Sequence, residues 1–169
     1  MLLTINKKGD RMQKISTCLW YNNQAEEAVR HYTSIFKNSK VLDPAFYNEE
    51  GYGEPGTVMT VPFELEGREF LALNGGPEFN FTNAISFMVN CETQEEVDYY
   101  WERLLEGGEA EQCGWLKDKF GVSWQIIPTI IGELMQDKDP ERSKRVMKAL
   151  LSMVKLDIDL LKKAYNGTE

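Results

Sequence analysis

A single histidine, His31, and 19 basic against 27 acidic side chains are the first scarcities of this 169-residue chain. The shortage of positive charge is concentrated in the body, where residues 15–136 hold 7 Lys and Arg against 20 Asp and Glu. A phosphate-binding surface needs a basic stripe, so nucleic acid is excluded as a partner. The short basic run Lys144 to Lys148 reads as the solvated face of a helix. Cysteine is also sparse. Cys18, Cys91 and Cys113 cannot all pair within one chain and show no metal-ligand spacing, which suits reduced thiols in a cytoplasmic protein. No apolar run approaches the ~18 residues of a membrane span. The opening MLLTINKKGDRMQ turns polar too early for a signal peptide, whose apolar core needs roughly 7–15 residues. Residues 1–13 read as a polar leader, and Met12, just before the first expected strand, would serve as a second start that leaves 1–11 outside the native chain.

What is present is ordinary for a globular domain, with 42% hydrophobic and 27% charged residues. Within it two segments repeat. AEEAVRHYTSIF (Ala25 to Phe36) aligns without a gap on QEEVDYYWERLL (Gln94 to Leu105). Both carry apolar residues at helical spacing: Ala25, Ala28, Val29, Tyr32 and Phe36 in one, Val97, Trp101, Leu104 and Leu105 in the other. Asn22 or Asn23 is available to cap the first helix and Thr93 the second. Each helix follows a short strand, KISTCLWY or AISFMVN. KVLDPAFY, TVMTVPFELEG and REFLALNGG follow the first helix, with a tight turn at Leu65 to Arg68. GEAEQCGWLKDKFG and VSWQIIPT follow the second, with a turn at Lys117 to Gly121. The unit of strand, helix and two or three strands thus occurs twice, which predicts an α+β fold of two similar modules. The modules run over 14–83 and 84–128. Helices follow in a tail over 129–169: Ile130 to Met135, Pro140 to Val154 capped by Asp139, and Ile158 to Tyr165 capped by Asp157. Val146, Met147, Leu150 and Val154 form one expected packing face of the tail, and Ile158, Leu161 and Tyr165 another.

One stretch raises a chemical question. In FGVSWQIIPT, alternation puts Val122, Trp124 and Ile126 on one strand face and Ser123, Gln125 and Ile127 on the other. Gln125 therefore either lies on a solvated sheet face or lines a cavity, where its amide needs a partner.

The phrases WYNNQAEEAVRHYTSIF, FLALNGG and GWLKDKFGVSWQIIP resemble the PhnB-like branch of the glyoxalase/bleomycin-resistance superfamily, the vicinal oxygen chelate fold. Many of its members carry the label 3-demethylubiquinone-9 3-methyltransferase. The resemblance implies paired βαβββ modules whose curved mixed sheets enclose a small-molecule cavity, frequently in a homodimer. It also implies metal ligands on the first and last strands of each module in the enzymes of the superfamily. Carried over, those places fall on Thr17, on Phe70, Leu71 or Ala72, on Ala84 or Ser86, and on Gln125. Of these only Gln125 could be a ligand, and an amide oxygen is weak alone where catalytic sites use three protein ligands. The expectation is therefore no metal and no cofactor, with Gln125 kept to hydrogen-bond a ligand. Glu69, beside Arg68 and the turn, reads as exposed, and so does His31. The methyltransferase label finds no G-x-G after a first strand to hold a methyl donor's nucleotide.

The candidate ligand-binding residues are Thr17, Trp20, Asn74, Ser86, Phe87 and Gln125. Cys113 lacks a base, since the one histidine sits on another element, and Asp118 reads as a turn residue. Three functions stay open. The first is a metal-free binding protein for an unidentified small molecule. The second is an enzyme of the superfamily, a lyase, a dioxygenase or the labelled methyltransferase, with a weak or divergent metal site. The third is a structural or regulatory dimer with a vestigial cavity. None involves nucleic acid or a membrane.

Overall fold

Alternating burial along short strands, interrupted by two amphipathic helices, organises the computed structural model, which describes residues 14–168. The polar leader expected over 1–13 lies outside these residues. The fold is α+β and divides into two compact units between Asn80 and Phe81, the helices after Pro128 belonging to the second.

The first unit contains β1 (Thr17–Tyr21), α1 (Ala25–Ile35), β2 (Ser39–Val41), β3 (Ala45–Phe46), β4 (Val58–Leu65) and β5 (Arg68–Asn74). The second contains β6 (Phe87–Cys91), α2 (Gln94–Leu105), β7 (Glu109–Ala110), β8 (Trp115–Lys117), β9 (Ser123–Pro128), α3 (Ile130–Met135), α4 (Pro140–Ser152) and α5 (Ile158–Asn166). Their sheets share one topology. The strand order is β1-β5-β4-β2 in one, with β3 also on β4, and β6-β9-β8-β7 in the other. In each, the first strand of the module runs parallel to the last, and the other pairings are antiparallel. The repeat read from the helices is therefore a repeat of whole modules.

The segments expected as single strands are split. KVLDPAFY becomes β2 and β3 because Pro44 has no N–H to give a ladder. GEAEQCGWLK becomes β7 and β8, interrupted where Cys113 and Gly114 both take positive φ, 62° and 80°. The tight turn forms as expected, with Glu66 and Gly67 both left-handed between β4 and β5.

In the first unit α1 covers the face that carries Leu19, Tyr21, Phe63, Phe70 and Ala72, all buried. The Tyr32 ring stacks on Phe63 at 6.4 Å, and Phe63 on Phe70 at 5.2 Å. Capping of α1 departs from expectation. Asn23 is left-handed and Gln24 stands at the N-cap without a side-chain bond. The role falls to Asn74 at the end of β5, whose Oδ1 accepts from the Ala25 N–H at 2.9 Å. Its Nδ2 donates to Glu26 Oε2 and to the Val58 carbonyl. Thr93, Asp139 and Asp157 cap α2, α4 and α5 as their positions indicate.

The tail helices close on Leu134, Val146 and Leu161, with Leu150 and Tyr165 packed against them. Met147 and Val154, expected on that face, are 40% exposed, the first because α4 turns Val146 and Leu150 inward instead, the second because α4 ends at Ser152, before the expected Val154. The strap between α4 and α5 is fastened to the second sheet. Cys113 and Gly114 donate their N–H groups to the Met153 and Val154 carbonyls, both at 2.8 Å. Gln94 accepts from the Ile158 N–H at 2.9 Å and donates to the Leu156 carbonyl. Among the described residues no helix is long and apolar enough to cross a membrane.

Candidate functional site

Strand pairing fixes which side chains share a face of the second sheet. Phe87 lies beside Trp124 and Leu116, and Val89 beside Ile126, on the face buried toward α2. The Phe87 and Trp124 rings are 5.2 Å apart. The opposite face is only partly covered, Ser123 being buried on it at 1% exposure. On it Met88, Gln125 and Trp115 form one row across three strands. Met88 is 56% exposed, whereas Gln125 and Trp115 are half-buried. Lys117 and Ser123 form the neighbouring row.

Gln125 has a partner on that face. Its Nε2 donates to Ser86 Oγ at 2.8 Å. The pairing is diagonal, from the centre of β9 to the residue just before β6, and it orients the amide across the sheet. Among the described residues its Oε1 accepts no hydrogen bond. A second polar group lies at the Lys117 end. Asn83 Nδ2 donates to both oxygens of Glu111, at 3.0 and 2.8 Å, and Ser123 Oγ donates to Asn83 Oδ1. Lys117 Nζ stands 3.7 Å from Glu111.

The remaining candidates separate. Ser86 and Gln125 are brought together, but Thr17 pairs with Phe70 on the helix-covered face of the first sheet, and Phe87 occupies the corresponding face of the second. Asn74 is spent on α1 and β4. Trp20 lies on the first sheet's face away from α1, its indole N–H held by the Gly76 carbonyl at 2.9 Å and its ring met edge-on by Phe79 at 5.0 Å. A Cβ at Gly75 would stand 2.3 Å from that ring, so this glycine leaves the room that Trp20 fills. Trp115 is the residue that sequence reasoning passed over. Its signal was the alternation Trp115, Leu116, Lys117, which puts the outer two on one face.

Asp118 is a turn residue. Its Oδ1 accepts from the Phe120 and Val122 N–H groups, and its Oδ2 from Trp124 Nε1 at 2.8 Å. It is 3% exposed and closes the β8–β9 turn from the helix side of the sheet. His31 is half-buried rather than exposed, its ring 5.8 Å from that of its neighbour Tyr32. Cys91 is buried, and burial, followed by the charge of Glu96, pushes its thiol up to about 12. That is too high for a nucleophile.

A divalent metal does not fit the donors present. Among the described residues no three His, Cys, Asp or Glu side chains come together. The row of Gln125 on the second sheet offers its amide and the Ser86 hydroxyl, and the place in the first sheet that matches Gln125 by register is Leu71. Transition-metal sites depend on several imidazole, thiolate or carboxylate ligands, and the one carboxylate nearby, Glu111, is held at both oxygens by Asn83.

Comparison with known proteins adds a family. Residues 13–127 match the family model described as 3-demethylubiquinone-9 3-methyltransferase. A PhnB protein from Bacillus cereus, carrying the same methyltransferase name, is 39% identical over 69% of this chain and 100% of its own, with a TM-score of 0.63. A Pseudomonas aeruginosa protein shares the fold at 17% identity, 69% and 97% coverage and a TM-score of 0.57. A glyoxalase-related enzyme from Fulvimarina pelagi aligns at 12% identity over 70% of this chain and 91% of that one, with a TM-score of 0.42. None of the curated proteins compared with the chain matches it.

Proposed function

This chain belongs to the 3-demethylubiquinone-9 3-methyltransferase family, the PhnB-like branch of the glyoxalase/bleomycin-resistance superfamily, and from that premise we propose that it binds a small molecule without a metal. The binding surface is this partly covered face of the second sheet, with Gln125 as the group that orients the ligand. One observation carries this reading. A half-buried amide stands at the centre of an otherwise apolar row, between Met88 and Trp115, with its nitrogen fixed by Ser86 and its oxygen accepting nothing among the described residues.

The chemistry available there is recognition. Met88, Trp115 and Ile127 supply apolar contact, and the amide oxygen supplies an acceptor of defined direction. Acid–base work would need a titratable group in the row, and Met88, Gln125 and Trp115 include none. Methyl transfer as the family label names it would need a place for the donor's nucleotide. The chain has no glycine-rich turn after β1 to form one: the β1–α1 connection is Asn22, Asn23 and Gln24.

The same reading includes the homodimer that the family resemblance implies and a cytoplasmic setting. Light scattering at micromolar concentration tests the first, where a single monomeric species would refute it. The binding reading itself is tested by screening small molecules for thermal stabilisation in the presence of chelator. A ligand that stabilises the wild type and fails to stabilise Gln125→Leu supports it. Ligands that act only after divalent metal is added contradict it.

A further inference from the structure

Lys117 brings a cation to the edge of this face of the second sheet, between Glu109 opposite it on β7 and the buried Ser123 on β9. Lys117 lies on the same side as Gln125 and Trp115 by register, one row along, and is half-buried. Its nearest acid does not use it fully. The carboxylate of Glu111 is held at both oxygens by Asn83, at 3.0 and 2.8 Å, while Lys117 Nζ stands 3.7 Å away, beyond hydrogen-bond length. Among the described residues, the ammonium donates no hydrogen bond, and neither does the Trp115 indole N–H. Two donors of this kind, one charged, beside an aromatic face make a surface complementary to a planar anion.

We propose that the ligand of this face is an aromatic or conjugated acid, its ring over Trp115 and Met88 and its carboxylate-like oxygens on Lys117. The inference rests on the binding reading above and narrows it to a chemical class. The flat ring suits the row, since an indole and a thioether both offer polarisable surface, and sulfur packs well against aromatic edges. The acid suits the neighbouring row, where a charge-assisted bond from Lys117 adds to the neutral one from Gln125. The chain's net charge of −8 opposes the approach of anions in general, so selection for an acid has to come from this local cation.

Calorimetric titration with 2-naphthoate and with its neutral isostere 2-naphthamide tests the class. The naphthoate binds about tenfold or more tightly than the amide at low salt, the range expected for adding a charged partner to a hydrogen bond. Raising the salt narrows the gap. Lys117→Met abolishes the difference while its melting temperature stays near that of the wild type, and Lys117→Arg keeps it. Equal binding of the two probes to the wild type overturns the acid while leaving the face as a binding site, provided Gln125→Leu weakens both. No binding of naphthoate at millimolar concentration overturns the acid outright. The broader reading is then judged separately, by whether ligand stabilisation found in the small-molecule screen depends on Gln125.

Discussion

Gln125 and Leu71 hold the same register in the two sheets, one opposite Met88 and the other opposite Cys18, yet one is an amide and the other a leucine. The two modules share one topology but differ along this row, which reads Cys18, Leu71 and Pro62 in the first sheet and Met88, Gln125 and Trp115 in the second. The hydroxyl that fixes the amide also has a counterpart. Ser86 precedes β6 as Ser16 precedes β1, but only Ser86 faces a partner of complementary chemistry across its sheet.

Replacing Gln125 with leucine separates binding from folding. The side chain is half-buried and its bond to Ser86 is neutral, so the loss of stability stays near the 0.5–1.5 kcal/mol of an ordinary hydrogen bond, about. Ligand affinity falls roughly 2- to 13-fold from the same bond lost at the ligand. Thermal melts and titration of the one variant read both.

Asn74 behaves in the opposite way. It satisfies the first turn of α1, Glu26 and the Val58 carbonyl from a buried position. Asn74→Leu removes all three partners and leaves buried backbone groups unpaired, costing about 1–3 kcal/mol or more. Denaturant midpoints of this variant fall while ligand affinity per folded molecule holds.

How much of this was legible follows the distance between the groups involved. Caps that lie next to their helix, Thr93, Asp139 and Asp157, are readable because each acts within three residues. The cap of α1 is not, since its donor and acceptor are 49 residues apart and meet only when β1 pairs with β5. The faces of β9 followed from alternation alone. Thr17 and Phe87 fell on the helix-covered faces because a place defined only as "first strand" leaves parity open by one residue, and one residue reverses the face. Trp115 escaped notice because β8 is three residues long and sits after a left-handed Cys113–Gly114 pair, where periodicity has little to repeat.

The strap between α4 and α5 meets the second sheet closely at Gly114. At Gly114, φ is +80°, and a Cβ there would stand 2.8 Å from the Ile126 carbonyl oxygen and 2.9 Å from Leu156 Cδ1. Backbone cannot yield as a side-chain tip does. Gly114→Ala therefore loses about 1–3 kcal/mol from conformation alone, with the clash in addition. Leu156→Ala, at a fully buried position, costs about 2–5 kcal/mol. Both appear as lowered melting temperatures, and in both hydrogen exchange rises first in the tail.

Acid should loosen the tail before the sheets. Lys155 and Gln94, by hydrogen bonding, hold the Asp98 carboxyl below its usual range. Tyr165, with the Asp139 backbone and the charge of Arg142, does the same for Asp137. A lowered folded-state pKa contributes stability that is present above the unfolded value, near pH 4, and lost as pH falls through the folded one. Limited proteolysis below about pH 4 cuts the tail of the wild type faster than at neutral pH. In Asp98→Asn combined with Asp137→Asn the tail is already loosened at neutral pH, and the change with acid is smaller.

Native mass spectrometry of freshly purified protein, before and after exhaustive chelation, tests the central claim most directly. The account predicts that a stabilising small molecule identified by screening gives an adduct on the wild type, that this adduct survives chelation, and that Gln125→Leu weakens it. One divalent metal per chain, whose removal by chelator also removes the small-molecule adduct, would contradict it.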